Sequence, residues 1–126
     1  MSGLSENAFL HQVLELLTMY DWIWHHDDSS SRLIQRPGTG ALIRIANTKR
    51  GFPDLCAARI ADGRVIFAEL KRDQGIRGGT KGRELEPDQL LWERALRANA
   101  SRPGSTIEYY LWRPADLEDI VRILAR

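Results

Sequence analysis

One cysteine, Cys56, occurs in 126 residues. That excludes an internal disulfide and a zinc site built from several thiolates. Set between Leu55 and Ala57, it is expected to be a small core residue rather than a nucleophile. No apolar run is longer than four residues, far short of the roughly 20 residues that span a bilayer. The opening MSGLSENAFL has no basic segment followed by a long apolar one. It therefore lacks the look of a secretory signal, and a cytoplasmic location is the simplest expectation. The glycine-rich GIRGGTKGR at 75–83 lacks the spacing of a phosphate-cradling P-loop, and no internal repeat, low-complexity tract or linker breaks the chain.

What is present is the composition of an ordinary globular chain, 43% hydrophobic and 28% charged. Its length suits one domain over 1–126 and is too small for two cores. The net charge of +1 hides an uneven distribution. Between Arg44 and Arg83 there are ten Lys or Arg against four Asp or Glu, and eight against thirteen elsewhere. A basic block of this kind, folded onto one surface, offers a footprint for a polyanion; spread out, it is only a solvated loop.

Ser5 followed by Phe9, Val13, Leu16, Leu17 and Tyr20 predicts an amphipathic helix over about 5–20 with a serine cap. Glu6 lies on its inward stripe near the open end. The WIWHH segment at 22–26 is strand-prone, with a polar turn after it. Leu33–Ile34 and Ala41–Ile45 are short strand candidates around the Pro37-Gly38 turn. Leu55–Ile60 and Arg64–Leu70 form a hairpin about Asp62-Gly63. The segment from Arg72 to Glu86, with four glycines, is expected to be a mobile loop. Pro87 opens a second helix with Leu91, Trp92, Ala95, Leu96 and Ala98 as its apolar face. Ile107–Trp112 is a strand, and Pro114 opens a third helix carrying Leu117, Ile120, Val121 and Leu124. The expected fold is α/β, a mixed sheet flanked by helices in the order α-β-β-β-α-β-α.

Within the hairpin, alternation puts Val65, Phe67, Glu69 and Lys71 on one face. The turn at Asp62-Gly63 brings Asp54 beside Glu69. Two carboxylates at that range raise each other's proton affinity unless a cation lies between them. Mg²⁺, an oxygen-seeking ion held by one or two carboxylates with water and phosphate oxygens, is the natural occupant, with the Leu70 carbonyl as a third oxygen. Lys71, at the strand end, is placed to orient a nucleophile and to offset charge on a phosphoryl transition state.

Pro53-Asp54 followed fifteen residues later by Glu69-Leu70-Lys71 resembles the PD-(D/E)xK signature of restriction-endonuclease-like nucleases. VRR-NUC domains of phage and bacteria are the nearer resemblance, through Glu6 in the first helix, GFPD at 51–54, AELK at 68–71, Gln89 with Trp92, and the WRPADLEDIVRIL ending. The valine-arginine-arginine string that names that family is absent. The resemblance implies a restriction-endonuclease-like core, with Asp54, Glu69, Glu6 and the Leu70 carbonyl around Mg²⁺ or Mn²⁺, Lys71 as the catalytic lysine, and Gln89 completing the pocket. It implies an endonuclease that hydrolyses DNA phosphodiester bonds, branched DNA such as Holliday junctions or flaps among them, with a homodimer suited to paired cuts. Lys49, Arg50, Arg72, Arg77, Lys81 and Arg83 would hold the backbone without reading bases.

Rival readings of the same residues remain. One is a structure-specific DNA-binding module without turnover; another is an adaptor in which Glu69 and Lys71 are a surface pair. The residues by themselves allow RNA as well as DNA. His25, His26, Asp27 and Asp28 look like metal ligands in print, but adjacent histidines of a strand point to opposite faces and do not readily share one ion. Trp22, Trp24, Trp92 and Trp112 are expected in the core rather than stacked on bases.

Overall fold

The structure is a computed structural model that describes residues 5–26, 32–35, 38–45, 51–72 and 85–126. Helix α1 (Glu6–Met19) begins at Ser5, whose hydroxyl accepts the Ala8 N–H at 3.1 Å, a side-chain cap for one of the helix's orphan donors. Its Phe9, Val13 and Leu17, spaced by four, are fully buried. Strands β1 (Ile23–His26), β2 (Arg32–Gln35), β3 (Leu42–Ile45), β4 (Leu55–Ala58) and β5 (Val65–Leu70) follow, then α2 (Pro87–Ala100), β6 (Ile107–Trp112), a 3₁₀ turn at Pro114–Asp116 and α3 (Leu117–Ala125).

Four strands form a mixed sheet in the order β1-β4-β5-β6. The first three are antiparallel, and β6 runs parallel to β5. A parallel neighbour requires a crossover, which α2 supplies. Leu55, Ala57, Ile66, Ala68, Leu70 and Trp112 turn one face of the sheet to α1 and α3, where Ile120 and Leu124 complete the core. The opposite face, with Phe67, Glu69 and Tyr109, turns to α2. Leu96 is the buried residue of that helix, and Arg97 lies over the Tyr109 ring at 4.9 Å.

The C-terminal helix is tied to the far end of the sheet. The Trp22 indole donates to the Leu124 carbonyl at 3.0 Å, and Arg59 donates to the same oxygen at 2.8 Å. Both Arg59 and Arg64 lie over the Trp22 ring, at 4.6 and 5.0 Å. Arg64 grips both oxygens of Glu108 at 2.7 and 2.9 Å. Burial works to raise the Glu108 carboxyl, but hydrogen bonds from Arg64 and Tyr110 hold it below the usual range. Guanidinium groups near a helix C-terminus also satisfy its last carbonyls and complement its dipole.

Several expectations need correction. Five strands precede α2 rather than three, because β2 and β3 pair with each other as a separate two-stranded antiparallel sheet. Strand β4 ends at Ala58, two residues earlier than expected, since the loop closes with Gly63 N–H donating to the Arg59 carbonyl and Gly63 at φ 70°. Trp22 and Trp112 are core residues, but Trp24 is 42% and Trp92 38% exposed. Trp24 lies on β1, the sheet's edge, and ties its indole to Thr18. The apolar face read for α2 is mostly outside the core, with Leu91 62% exposed. Cys56 is half-buried, its thiol pushed up by desolvation. Most of the loop expected over Arg72–Glu86 lies outside the described residues. Among the described residues no helix is long and apolar enough to cross a membrane.

Candidate active site

The site forms where β4 begins and β5 ends. Leu55 pairs with Ala68, so one step further the register puts Asp54 opposite Glu69 and Pro53 opposite Leu70. Proline has no N–H to offer a ladder, so regular pairing stops there. The Leu70 N–H donates instead to the side chain of Asp54, at 2.9 Å from Oδ2. A strand residue sends its N–H and C=O to the same edge, so the Leu70 carbonyl faces the Asp54 side, as a third oxygen would need to.

The GFPD turn is held by three contacts. Gly51 has φ 78°, and a Cβ there would fall 2.4 Å from the Asp88 carbonyl carbon; only glycine lets the turn press against the first turn of α2. Phe52 meets Phe67 of β5 and Trp92 of α2 edge-on, at 5.9 and 4.8 Å. Pro53 is fully buried. The backbone just before Asp54 is thus wedged between sheet and helix, and the carboxylate has little freedom to leave Glu69.

Glu69 is only 2% exposed. Desolvation, and after it the hydrogen bond and charge of Asp54, push its carboxyl up to about 9, against a smaller pull from Lys71. Without a cation, Glu69 keeps a proton in the space between the two carboxylates. Two carboxylates so placed could hold a divalent ion such as Mg²⁺ or Mn²⁺ in place of that proton. Among the described residues no group of three or more His, Cys, Asp or Glu is assembled. The described oxygen set is therefore two carboxylates and a main-chain carbonyl, enough for an ion that keeps several waters.

Lys71 leaves the end of β5, its N–H donating to the Trp112 carbonyl at 2.9 Å. Its ammonium reaches the Gln89 side-chain oxygen at 3.5 Å, the outer limit of a hydrogen bond. That oxygen also accepts the Glu86 N–H at 2.8 Å as half of a capping box at the start of α2. Gln89 therefore serves the helix and the lysine with one atom.

Glu6 is the first residue of α1. The same helix end contributes Asn7 and Leu10 to a cleft of about 310 Å³ that His26, Asp54 and Leu70 also line. A second cleft of about 450 Å³, lined by Gly51 and the 86–89 turn, opens beside the start of α2. No family model, curated protein or solved structure matches this chain.

Of the basic residues expected at a backbone contact, Arg72 is exposed directly after Lys71, and its carbonyl accepts from the Arg113 guanidinium at 3.1 Å. Lys49, Arg50, Arg77, Lys81 and Arg83 lie outside the described residues, as do Asp27 and Asp28. Sequence reasoning gave Asn7, Phe52 and Arg113 no place at this end of the molecule, and weighed His26 only as a metal ligand paired with His25. For His26 a signal existed. It ends the strand that pairs with β4, opposite Leu55, and so comes next to Asp54 once that pairing is known.

Proposed function

We propose that this chain is a Mg²⁺- or Mn²⁺-dependent endonuclease of the PD-(D/E)xK type, similar to VRR-NUC domains, that hydrolyses phosphodiester bonds in DNA. Branched or structured DNA, such as four-way junctions and flaps, is the proposed substrate, and a homodimer the proposed acting form. The observation that carries the reading is the buried Glu69 facing Asp54 with Lys71 beside them. Outside a cation site, such a pairing would be a poor use of a fully desolvated carboxylate.

The divalent ion would supply Lewis acidity toward a phosphate oxygen and lower the pKa of attacking water. Asp54, Glu69 and the Leu70 carbonyl would hold it. Lys71 places a fixed positive charge beside the carboxylates, where negative charge accumulates on the phosphoryl group during in-line attack. Gln89 keeps the ammonium on that side. The wedge of Gly51, Phe52 and Pro53 maintains the carboxylate spacing, and exposed basic residues such as Arg72 engage the backbone without reading bases.

Incubation of the protein and its Lys71→Ala variant with supercoiled plasmid and a synthetic four-way junction, in Mg²⁺, Mn²⁺ or chelator, tests the proposal. Cleavage by the wild type only, and only with metal, is expected, with a loss of at least about 100-fold in the variant. DNA binding without cleavage under every condition would replace the enzyme by a binding module. A light-scattering mass near 14.4 kDa would overturn the dimer.

A further inference from the structure

Asp54 has two sides of different character. On the α2 side Lys71 meets Gln89, outside the 310 Å³ cleft, and their contact is accounted for. On the α1 side the cleft presents two polar groups: the Asn7 amide from the first turn of α1, and the His26 imidazole from the last residue of β1. Among the described residues, neither side chain has a hydrogen-bond or ion-pair partner. Both nevertheless face one cavity with Asp54. The edge position of β1 leaves His26 half-buried, and its pairing with Leu55 fixes its backbone one residue from Asp54. A pocket of about 310 Å³ is within the range that holds a small ligand group. Leu10 and Leu70 supply its apolar floor.

Resting on the nuclease reading above, we infer that His26 and Asn7 form a substrate-binding wall that donates hydrogen bonds to a backbone phosphate of the nucleic acid lying across Asp54. The chemistry matches. A phosphodiester offers only acceptor oxygens at its charged end, and an imidazole and a primary amide each carry an N–H donor with no other described use. Phosphate contacts of this kind position a strand rather than read its sequence. With Lys71 on one side and these donors on the other, the phosphate is fixed laterally, and the in-line geometry of attack depends on both walls.

The test separates this wall from the catalytic reading. Affinity for a fluorescein-labelled four-way junction is measured by anisotropy in chelator, and kcat and KM are measured with Mn²⁺, for wild type, His26→Ala, His26→Gln, Asn7→Ala and Lys71→Ala. Mn²⁺ affinity is measured by calorimetry and folding by thermal melting. The loss of one hydrogen bond to a charged phosphate is expected to weaken DNA affinity and raise KM by about 10- to 100-fold in His26→Ala and Asn7→Ala. Mn²⁺ affinity is expected to be unchanged, and His26→Gln, which keeps an N–H donor, to recover most of the loss. Folded alanine variants with unchanged DNA affinity and KM, beside a wild type that cleaves, would overturn the wall and leave the nuclease reading standing. Affinity that depends on His26 without any cleavage would keep the wall and sink the nuclease. A wild type that neither binds nor cleaves would end both.

Discussion

Asp54 and Glu69 face each other across the β4–β5 register, and the more buried of the two, Glu69, holds its proton far above the usual carboxylate range. The consequence for stability has a definite sign. The folded chain keeps this proton up to about pH 9, whereas the unfolded chain releases it near 4.5. Since the native state binds more protons between those values, stability contributed by Glu69 is lost as pH rises through that window. In chelator, the melting temperature of the wild type should fall between pH 5 and 9 more steeply than that of Glu69→Gln. Addition of Mn²⁺ at pH 8 should raise the melting temperature of the wild type and leave Glu69→Gln nearly unchanged. Parallel pH curves for the two proteins would refute this account of Glu69.

Gly51 tests the wedge. A Cβ at this position collides with the Asp88 backbone, 2.4 Å away, at a φ of 78° that side chains rarely adopt. Gly51→Ala should cost about 1–3 kcal/mol of stability. It should also weaken Mn²⁺ binding, because relieving the clash shifts the turn that carries Asp54 against the start of α2. Urea unfolding and calorimetry read the two effects, and an alanine variant with wild-type values for both would show that the turn is looser than described.

Gln89 performs two tasks through one oxygen. Replacing it with alanine removes the capping box and the Lys71 contact together, so stability should drop by about 1 kcal/mol and cleavage should fall. Gln89→Glu keeps an acceptor for Glu86 and Lys71, so its stability should stay near wild type. If alanine costs stability but not cleavage, the contact with Lys71 has no part in the reaction.

Arg64 lies away from the site. Its paired hydrogen bonds to Glu108 are mostly shielded from solvent, with side-chain exposures of 15% and 21%. Arg64→Ala leaves Glu108 short of its partner and uncovers Trp22, and should destabilise the fold by about 2–4 kcal/mol. Arg64→Ala with Glu108→Gln should recover part of that loss, since no charge is then left unpaired. Once folded, either variant should bind Mn²⁺ like the wild type; a coupled loss would mean that the two ends of the sheet communicate.

The chain by itself determined the local geometry of the site. An Asp-Gly turn sets a hairpin register, strand alternation then puts Glu69 and Lys71 on one face, and the same register carries Asp54 opposite Glu69. Pro87 at the start of α2 was likewise readable, because its fixed φ and missing N–H suit the first turn of a helix, whereas the Glu86–Gln89 capping box came only from the structure. Tertiary structure decided what depends on distant neighbours. That β1 is an edge strand left Trp24 partly in solvent and set His26 beside Asp54. That β2 and β3, among the described residues, pair with each other and not with the four-stranded sheet could not be read from their apolar content, which suits a central strand equally well. The depth of Glu69 came from α2 closing over that sheet face with Phe52 wedged beneath Trp92, and burial of this kind is a property of packing between elements, which no local pattern encodes.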